Sequence, residues 1–272
     1  MDHSAGHEPR QASSGPEPAA ERPDRSPPLL ALRQVSKHFG AVEALVSVDL
    51  EVRAHEVVAL VGDNGAGKST AAKVIAGVLP PDAGEIELDG EPVTIANPST
   101  AHALGIATVF QDLALCENLD VTANLFLGRE LHHGALLADG EMEGQTRDTL
   151  DALSARIPSV RTPLRHLSAG QRQSVAIART LIGSPRIVVL DEPTASLSVV
   201  QTAEVLTHIE RLRDLGLGVL IISHNMTDVR AVADRIVVLR HGRVNGVFDA
   251  ASTSHEAILA AITGASHVAP VA

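Results

Sequence analysis

A chain of 272 residues, 44% of them hydrophobic, holds enough apolar material for one large α/β domain or two small ones. Its formal charge of −11 sets the surface against a phosphate backbone, and no basic stripe interrupts it, so no nucleic-acid partner is expected. The single cysteine, Cys116, cannot form an internal disulfide and reads as a small apolar filler in a reducing compartment. No apolar run approaches the ~20 residues that cross a bilayer, so any work at a membrane would go through a partner.

Residues 1–28 hold six of the fifteen prolines among Ser, Glu, Arg and Gly, without the apolar stretch of a signal peptide. They read as a disordered tail, because they bury too little to offset the entropy of ordering. Aromatics are scarce, with four Phe and neither Trp nor Tyr, so a core of Val, Leu, Ile and Ala is expected, the filling of a parallel sheet covered by helices. From residue 29 the pattern alternates. Residues 29–39 and 44–52 are predicted strands by their alternation, and 56–62 is an apolar run that breaks at glycine and opens into a helix over 68–78. Residues 85–90 form a strand closing on an Asp-Gly turn signal, and 105–110 form another.

The interval 113–167 reads as helical, with one segment at 121–130 and a longer polar-faced one at 142–156. Strands return at 186–190, 216–223 and 235–243, with a helix over 199–215 and a short one after His224. Runs such as Val188-Val189-Leu190 suit central strands buried on both faces. There is no internal repeat. Residues 266–272 read as a second frayed tail.

Gly62-Asp63-Asn64-Gly65-Ala66-Gly67-Lys68-Ser69-Thr70 satisfies G-x-x-x-x-G-K-[ST], with an apolar strand before it and a helix after it. Glycines let the backbone wrap until successive N–H groups point at phosphate oxygens, and the helix start adds the positive end of its dipole. Lys68 supplies a charge for the β- and γ-phosphates, and the Ser69 hydroxyl can ligate Mg²⁺. A second apolar strand ends in Asp191-Glu192. Asp191 is placed to hold Mg²⁺ or its water, and Glu192 to act on a water in line with the γ-phosphate. A nucleoside triphosphate and Mg²⁺ are thus the expected ligand and cation; the resemblance described next makes the nucleotide ATP.

These two elements are shared by many nucleotide hydrolases. About twenty residues before Asp191 stands Leu167-Ser168-Ala169-Gly170-Gln171, which resembles the LSGGQ signature of the ABC (ATP-binding cassette) ATPases. Around it, Phe39 matches the adenine-stacking aromatic, Gln111 the Q-loop glutamine and His224 the switch histidine. The resemblance covers residues 30–248. It implies an α/β P-loop nucleotide hydrolase spanning 29–265, with a RecA-like core, an antiparallel β subdomain and a helical subdomain at about 113–167. It also implies that two cassettes, most simply a homodimer, close head to tail on ATP. Ser168 and Gly170 would then face the γ-phosphate held by the other copy's Lys68, while Gln111 links Mg²⁺ and the attacking water to the membrane interface. His224 would orient the water and Glu192.

Two positions depart from the family. Ala169 replaces the second signature glycine, which is tolerable unless its φ is positive. Ser198 stands where an aspartate is common, which bears on communication between the two ATP sites. The wording around residues 111–130 and 222–244 resembles cassettes of bacterial monosaccharide importers. Two cassettes are often fused in the ribose and xylose type, whereas here there is one, as in fructose-type subunits. The implied partners are integral-membrane permease subunits, contacting residues 111–129, and indirectly a periplasmic or extracellular solute-binding protein. The implied location is peripheral, on the cytoplasmic face of the membrane. The competing reading is a regulatory nucleotide-binding module in which Ala169 and Ser198 have degraded hydrolysis. His132 and His133 have no metal-ligand spacing and read as a solvated loop.

Overall fold

The structure is a computed structural model that describes residues 27–265; apart from Pro27 and Pro28, the tails expected at 1–28 and 266–272 lie outside the described residues. The first half of the chain builds an antiparallel sheet from β1 (Leu30–Phe39), β2 (Val42–Val52), β4 (Ala83–Leu88) and β5 (Glu91–Val93), in the order β2-β1-β4-β5. Asp89 (φ 53°) and Gly90 (φ 82°) close the β4–β5 hairpin. Two successive left-handed residues give that turn the twist of its strands, as the Asp-Gly pair predicts.

The second sheet comprises β3 (Glu56–Val61), β6 (Ile106–Val109), β9 (Ile187–Asp191), β10 (Gly218–Ile222), β11 (Arg235–Arg240) and β12 (Arg243–Asp249), in the order β12-β11-β3-β10-β9-β6. Every pair in it is parallel except β11–β12. Side chains alternate across a strand, so a sheet buried on both sides must be apolar at consecutive positions. Val57, Ala59, Val188, Leu190, Val219 and Ile221 enter one core cluster, while Val58, Leu60, Ile187, Val189, Leu220 and Ile222 enter the other.

The first cluster is roofed by helices, chiefly α5 (Ala169–Leu181) and α6 (Val199–Asp214), through Val175, Ile177, Val205 and Ile209. The second lies between the sheet, the antiparallel strands and α1 (Lys68–Ile75). The remaining helices are α2 (Pro98–Ala103), α3 (Val121–Phe126), α4 (Asp139–Ala152), α7 (Met226–Val232) and α8 (His255–Thr263). Among the described residues, no helix is long and apolar enough to cross a membrane.

Several expected boundaries move. α1 stops at Ile75, not residue 78, because Gly77 takes φ 70°. The helix expected at 121–130 is only α3: Leu127 leaves helical geometry and Gly128 takes φ 76°. The interval 113–167 is not wholly helical, since β7 (His132–His133) and β8 (Leu136–Leu137) form a hairpin in it with both histidines exposed. The strand read over 235–243 is two strands, turning at His241 and Gly242. α2, capped by Asn97 with Pro98 following, and α8, capped by Ser254, carry start signals that the periodicity alone passes over.

Candidate functional site

Lys68 and Ser69 follow β3, Gln111 lies two residues past β6, Asp191 ends β9 with Glu192 next to it, and His224 lies two residues past β10. Those four strands are neighbours and parallel, so all these side chains collect at the carboxyl edge of one sheet, where open α/β folds bind ligands. Adjacent strands lie about 4.8 Å apart, and this places residues distant in sequence within reach of one bound group.

The cradle is the turn from β3 into α1. Gly67 caps α1 at φ 105°, and a Cβ there would lie 2.4 Å from the Ala44 carbonyl oxygen. Glycine is therefore required both by conformation and by the closeness of β2. Ala44 and Leu45 continue the β1–β2 hairpin whose other end pairs Phe39 with Val42. Phe39, 47% exposed, stands at the turn of that hairpin. One face of its ring has the Lys37 ammonium 5.9 Å from the centroid, and Lys37 is itself held by Asp82 at 2.7 Å.

Lys68 is buried, and its Nζ donates to the Gly62 carbonyl (2.7 Å) and the Asp63 carbonyl (3.0 Å). Burial pulls its pKa down, against the opposing charges of Glu192, Asp191 and Asp63. The ammonium thus rests on the rim of the space its loop encloses.

Asp191 is pushed up by burial and then by the Glu192 charge; its hydrogen bond from Ser69 and the charge of Lys68 act the other way. Its Oδ1 is buried without a hydrogen-bond partner. An orphaned carboxylate oxygen beside a bound hydroxyl is a hard-oxygen pair that suits Mg²⁺. No group of three or more His, Cys, Asp or Glu forms a metal cage among the described residues, so the remaining ligands of such a cation would be phosphate and water.

Glu192 holds a left-handed backbone (φ 52°), its N–H fixed by the Ile222 carbonyl at 2.9 Å. Such a φ on a non-glycine residue is strained and over-determined by its surroundings. It aims the carboxylate at His224, whose Nδ1 stands 2.8 Å from Glu192 Oε1. Gln111 is exposed beyond the sheet edge.

Ser168 is the N-cap of α5 in a capping box. Its hydroxyl accepts from the Gln171 N–H (3.2 Å), and the Gln171 carboxamide accepts from the Ser168 N–H (3.0 Å). Leu167 is buried and anchors the turn, while Ala169 and Gly170 keep two N–H groups without helix partners. Ala169 is exposed in the first helical turn, not at positive φ, so its methyl is accommodated. Ser198 likewise caps α6 in a second box, with Gln201.

Two residues escaped the sequence reading. Asn124, fully buried in α3, accepts from the Cys116 N–H (2.8 Å) and donates to the carbonyls of Cys116, Leu119 and Asp120. Arg179, on the signature helix, donates to the carbonyls of Leu113 (2.8 Å) and Ala114 (2.9 Å). Together they shape the segment that follows Gln111. The signal for Asn124 was available: a lone amide on the apolar face of α3.

A phosphate loop, an acidic pair ending a strand of the same parallel sheet and a capped helix start preceding that strand define a phosphate-loop nucleotide hydrolase. Comparison with known proteins narrows this. The ABC transporter family model matches residues 45–195. The xylose/arabinose import ATP-binding protein XylG of Sulfolobus acidocaldarius is 46% identical over 216 residues, 79% of this chain and 86% of that protein. The ribose import ATP-binding protein RbsA of Yersinia pestis is 42% identical over 219 residues, 80% of this chain but 43% of its own length. The ADP conformation of the ATP-binding cassette MJ1267 superposes with a TM-score of 0.75 at 25% identity, covering 87% of this chain and 95% of that one. A dimeric post-hydrolysis cassette bound to ADP and Pi, MJ0796, superposes at 0.69 and 26% identity, covering 81% and 98%. This chain belongs to the ABC transporter family, as an ATPase cassette.

The chain thus spans most of XylG and less than half of RbsA. A xylose-named relative of single-cassette length shows that the ribose and xylose type is not confined to fused pairs.

Proposed function

We propose that the chain is the ATP-hydrolysing motor of a sugar importer, working at the cytoplasmic face of the membrane against separate permease subunits and served by a solute-binding protein. The observation that carries it is the 2.8 Å Glu192–His224 pair set beside Lys68 and Asp191 on one sheet edge. The names of the relatives supply sugar import and leave the sugar open among xylose, arabinose, ribose and galactose types.

In this reading the triphosphate enters the cradle of residues 62–70 and Lys68 exchanges the Gly62 and Asp63 carbonyls for β- and γ-phosphate oxygens. Phe39 offers its free face to the base. Mg²⁺, held by Ser69 and Asp191 with Gln111 nearby, would neutralise phosphate charge when bound. Glu192 accepts a proton from, or orients, the attacking water, and the His224 imidazole holds that carboxylate in place. A second cassette, most simply another copy, brings the free N–H groups of Ala169 and Gly170 and the Ser168 hydroxyl to the γ-phosphate.

The regulatory alternative draws on Ser198 and Ala169. Ser198 has a full capping role and Ala169 fits its helix, so neither departure disables Glu192. The test is Glu192→Gln: it binds ATP and dimerises, and steady-state phosphate release falls to background. Equal release from both proteins would remove Glu192 from the mechanism.

A further inference from the structure

Outside the phosphate site, one titratable side chain is buried where it can act on the signature helix. His208, in the middle of α6, is 3% exposed and lies between two other elements. Its Nδ1 is 2.8 Å from the carbonyl oxygen of Leu153, which ends α4, and its Nε2 is 2.8 Å from Ser174 Oγ on α5. A carbonyl only accepts, so Nδ1 carries the proton. Burial keeps the ring neutral, against Glu204 on its own helix. Nε2 is then a lone pair, and the Ser174 hydroxyl donates to it. That hydroxyl has one proton and a second, longer acceptor in the Gly170 carbonyl at 3.1 Å, which α5's own ladder already serves. The shorter contact takes it.

Two turns earlier on the same face of α6, Gln201 lies over Gly170. A Cβ on Gly170 would stand 2.7 Å from Gln201 Cγ and 2.9 Å from its Cβ. The side chain is pinned there because its carboxamide oxygen serves the Ser198 N–H at 3.0 Å. Helix α6 therefore grips α5 at Gly170 and at Ser174, one turn apart on one face.

We propose that His208 is a positioning residue for the signature: by holding Ser174 against α6 it fixes the rotation of α5, and so the direction of the Ala169 and Gly170 N–H groups offered to a partner's nucleotide. The inference rests on the head-to-tail reading above. In a single cassette those N–H groups touch no nucleotide of their own, so losing the clamp weakens sandwich formation and leaves nucleotide binding by one subunit intact.

Three variants separate the links. His208→Asn keeps a donor near the Leu153 carbonyl and does not reach Ser174. His208→Gln reaches Ser174 with an acceptor oxygen and gives up Leu153. Ser174→Ala removes the hydroxyl itself. In full-length Glu192→Gln protein with Mg-ATP, sedimentation equilibrium reads dimerisation, and calorimetry at concentrations below it reads ATP binding to the monomer. His208→Asn and Ser174→Ala should each weaken dimerisation about tenfold, the equivalent of one buried hydrogen bond, with monomer affinity unchanged. His208→Gln should restore dimerisation to within about twofold of the parent on the same reasoning. With Glu192 intact, KM for ATP should rise in His208→Asn and Ser174→Ala at constant kcat. Parent-like dimerisation in His208→Asn and Ser174→Ala overturns the positioning role. So does a matching loss of monomer affinity and melting temperature in all three, which marks a merely structural histidine. A parent that stays monomeric with ATP overturns the sandwich itself, and the proposal with it.

Discussion

Adding one methyl group to the cradle, by Gly67→Ala, tests whether the loop's shape comes from backbone conformation alone or also from the strand behind it. The new Cβ would meet the Ala44 carbonyl oxygen at 2.4 Å, Leu45 Cδ2 at 3.0 Å and Leu239 Cδ2 at 3.1 Å, on a residue with φ 105°. Gly65→Ala is the control: its φ is 81°, yet a Cβ there has nothing within 4 Å. The left-handed conformation costs each alanine about 1–2 kcal/mol. Gly67→Ala bears in addition an overpacking term of about 1–3 kcal/mol, because two leucine methyls and a strand carbonyl have to give way. For a domain of this size 1 kcal/mol moves the melting temperature by about 2–4 °C, so Gly67→Ala should melt roughly 2–12 °C below Gly65→Ala. Thermal unfolding of the nucleotide-free proteins by circular dichroism reads the difference. Calorimetry with ATP should also show the larger loss in Gly67→Ala, since α1 begins at that residue. Equal melting temperatures would refute the claim that contact with β2 and β11 requires glycine there, leaving φ as the whole reason.

Lys68→Ala should weaken ATP binding roughly 10–150-fold, the value of one charge-assisted hydrogen bond at about 1.5–3 kcal/mol; unchanged affinity in calorimetry contradicts its phosphate role. Asn124→Ala strands the Cys116 N–H and takes a donor from three carbonyls, so urea unfolding should show a loss of about 3 kcal/mol, each unpaired buried group costing about 1–3 kcal/mol. A loss below about 1 kcal/mol would mean that water reaches that turn. Burial lowers the folded pKa of His208, and of His102 beside Arg129, below the ordinary 6.5. The unfolded chain then binds more protons as the pH drops, so their contribution is fully present above 6.5 and is lost as pH falls from there through the lower folded values. Arg156 and Glu204 line the same groove as His208. Melting temperatures between pH 7.5 and 5.5 should therefore fall less in His208→Gln than in the parent, and identical slopes would place the His208 proton elsewhere.

The sequence by itself determined the parts of this protein that local chemistry specifies. A phosphate loop needs glycines and a lysine at fixed offsets along one short turn, and a strand buried on both faces needs consecutive apolar residues; residues 62–70 and 187–191 show both without any fold in hand. The Asp89-Gly90 turn was legible for the same reason, since a turn is built from its own few residues. Only the tertiary structure decided what depends on neighbours far along the chain. The β3-β10-β9-β6 order that gathers Lys68, Gln111, Asp191 and His224 is one arrangement among many that the same strands allow. The strain at Glu192, the orphaned Oδ1 of Asp191, and the joining of Leu153, Ser174 and His208 arise where three elements meet. A side chain's role there is fixed by what the fold puts next to it, and nothing in its own stretch of sequence records that neighbour.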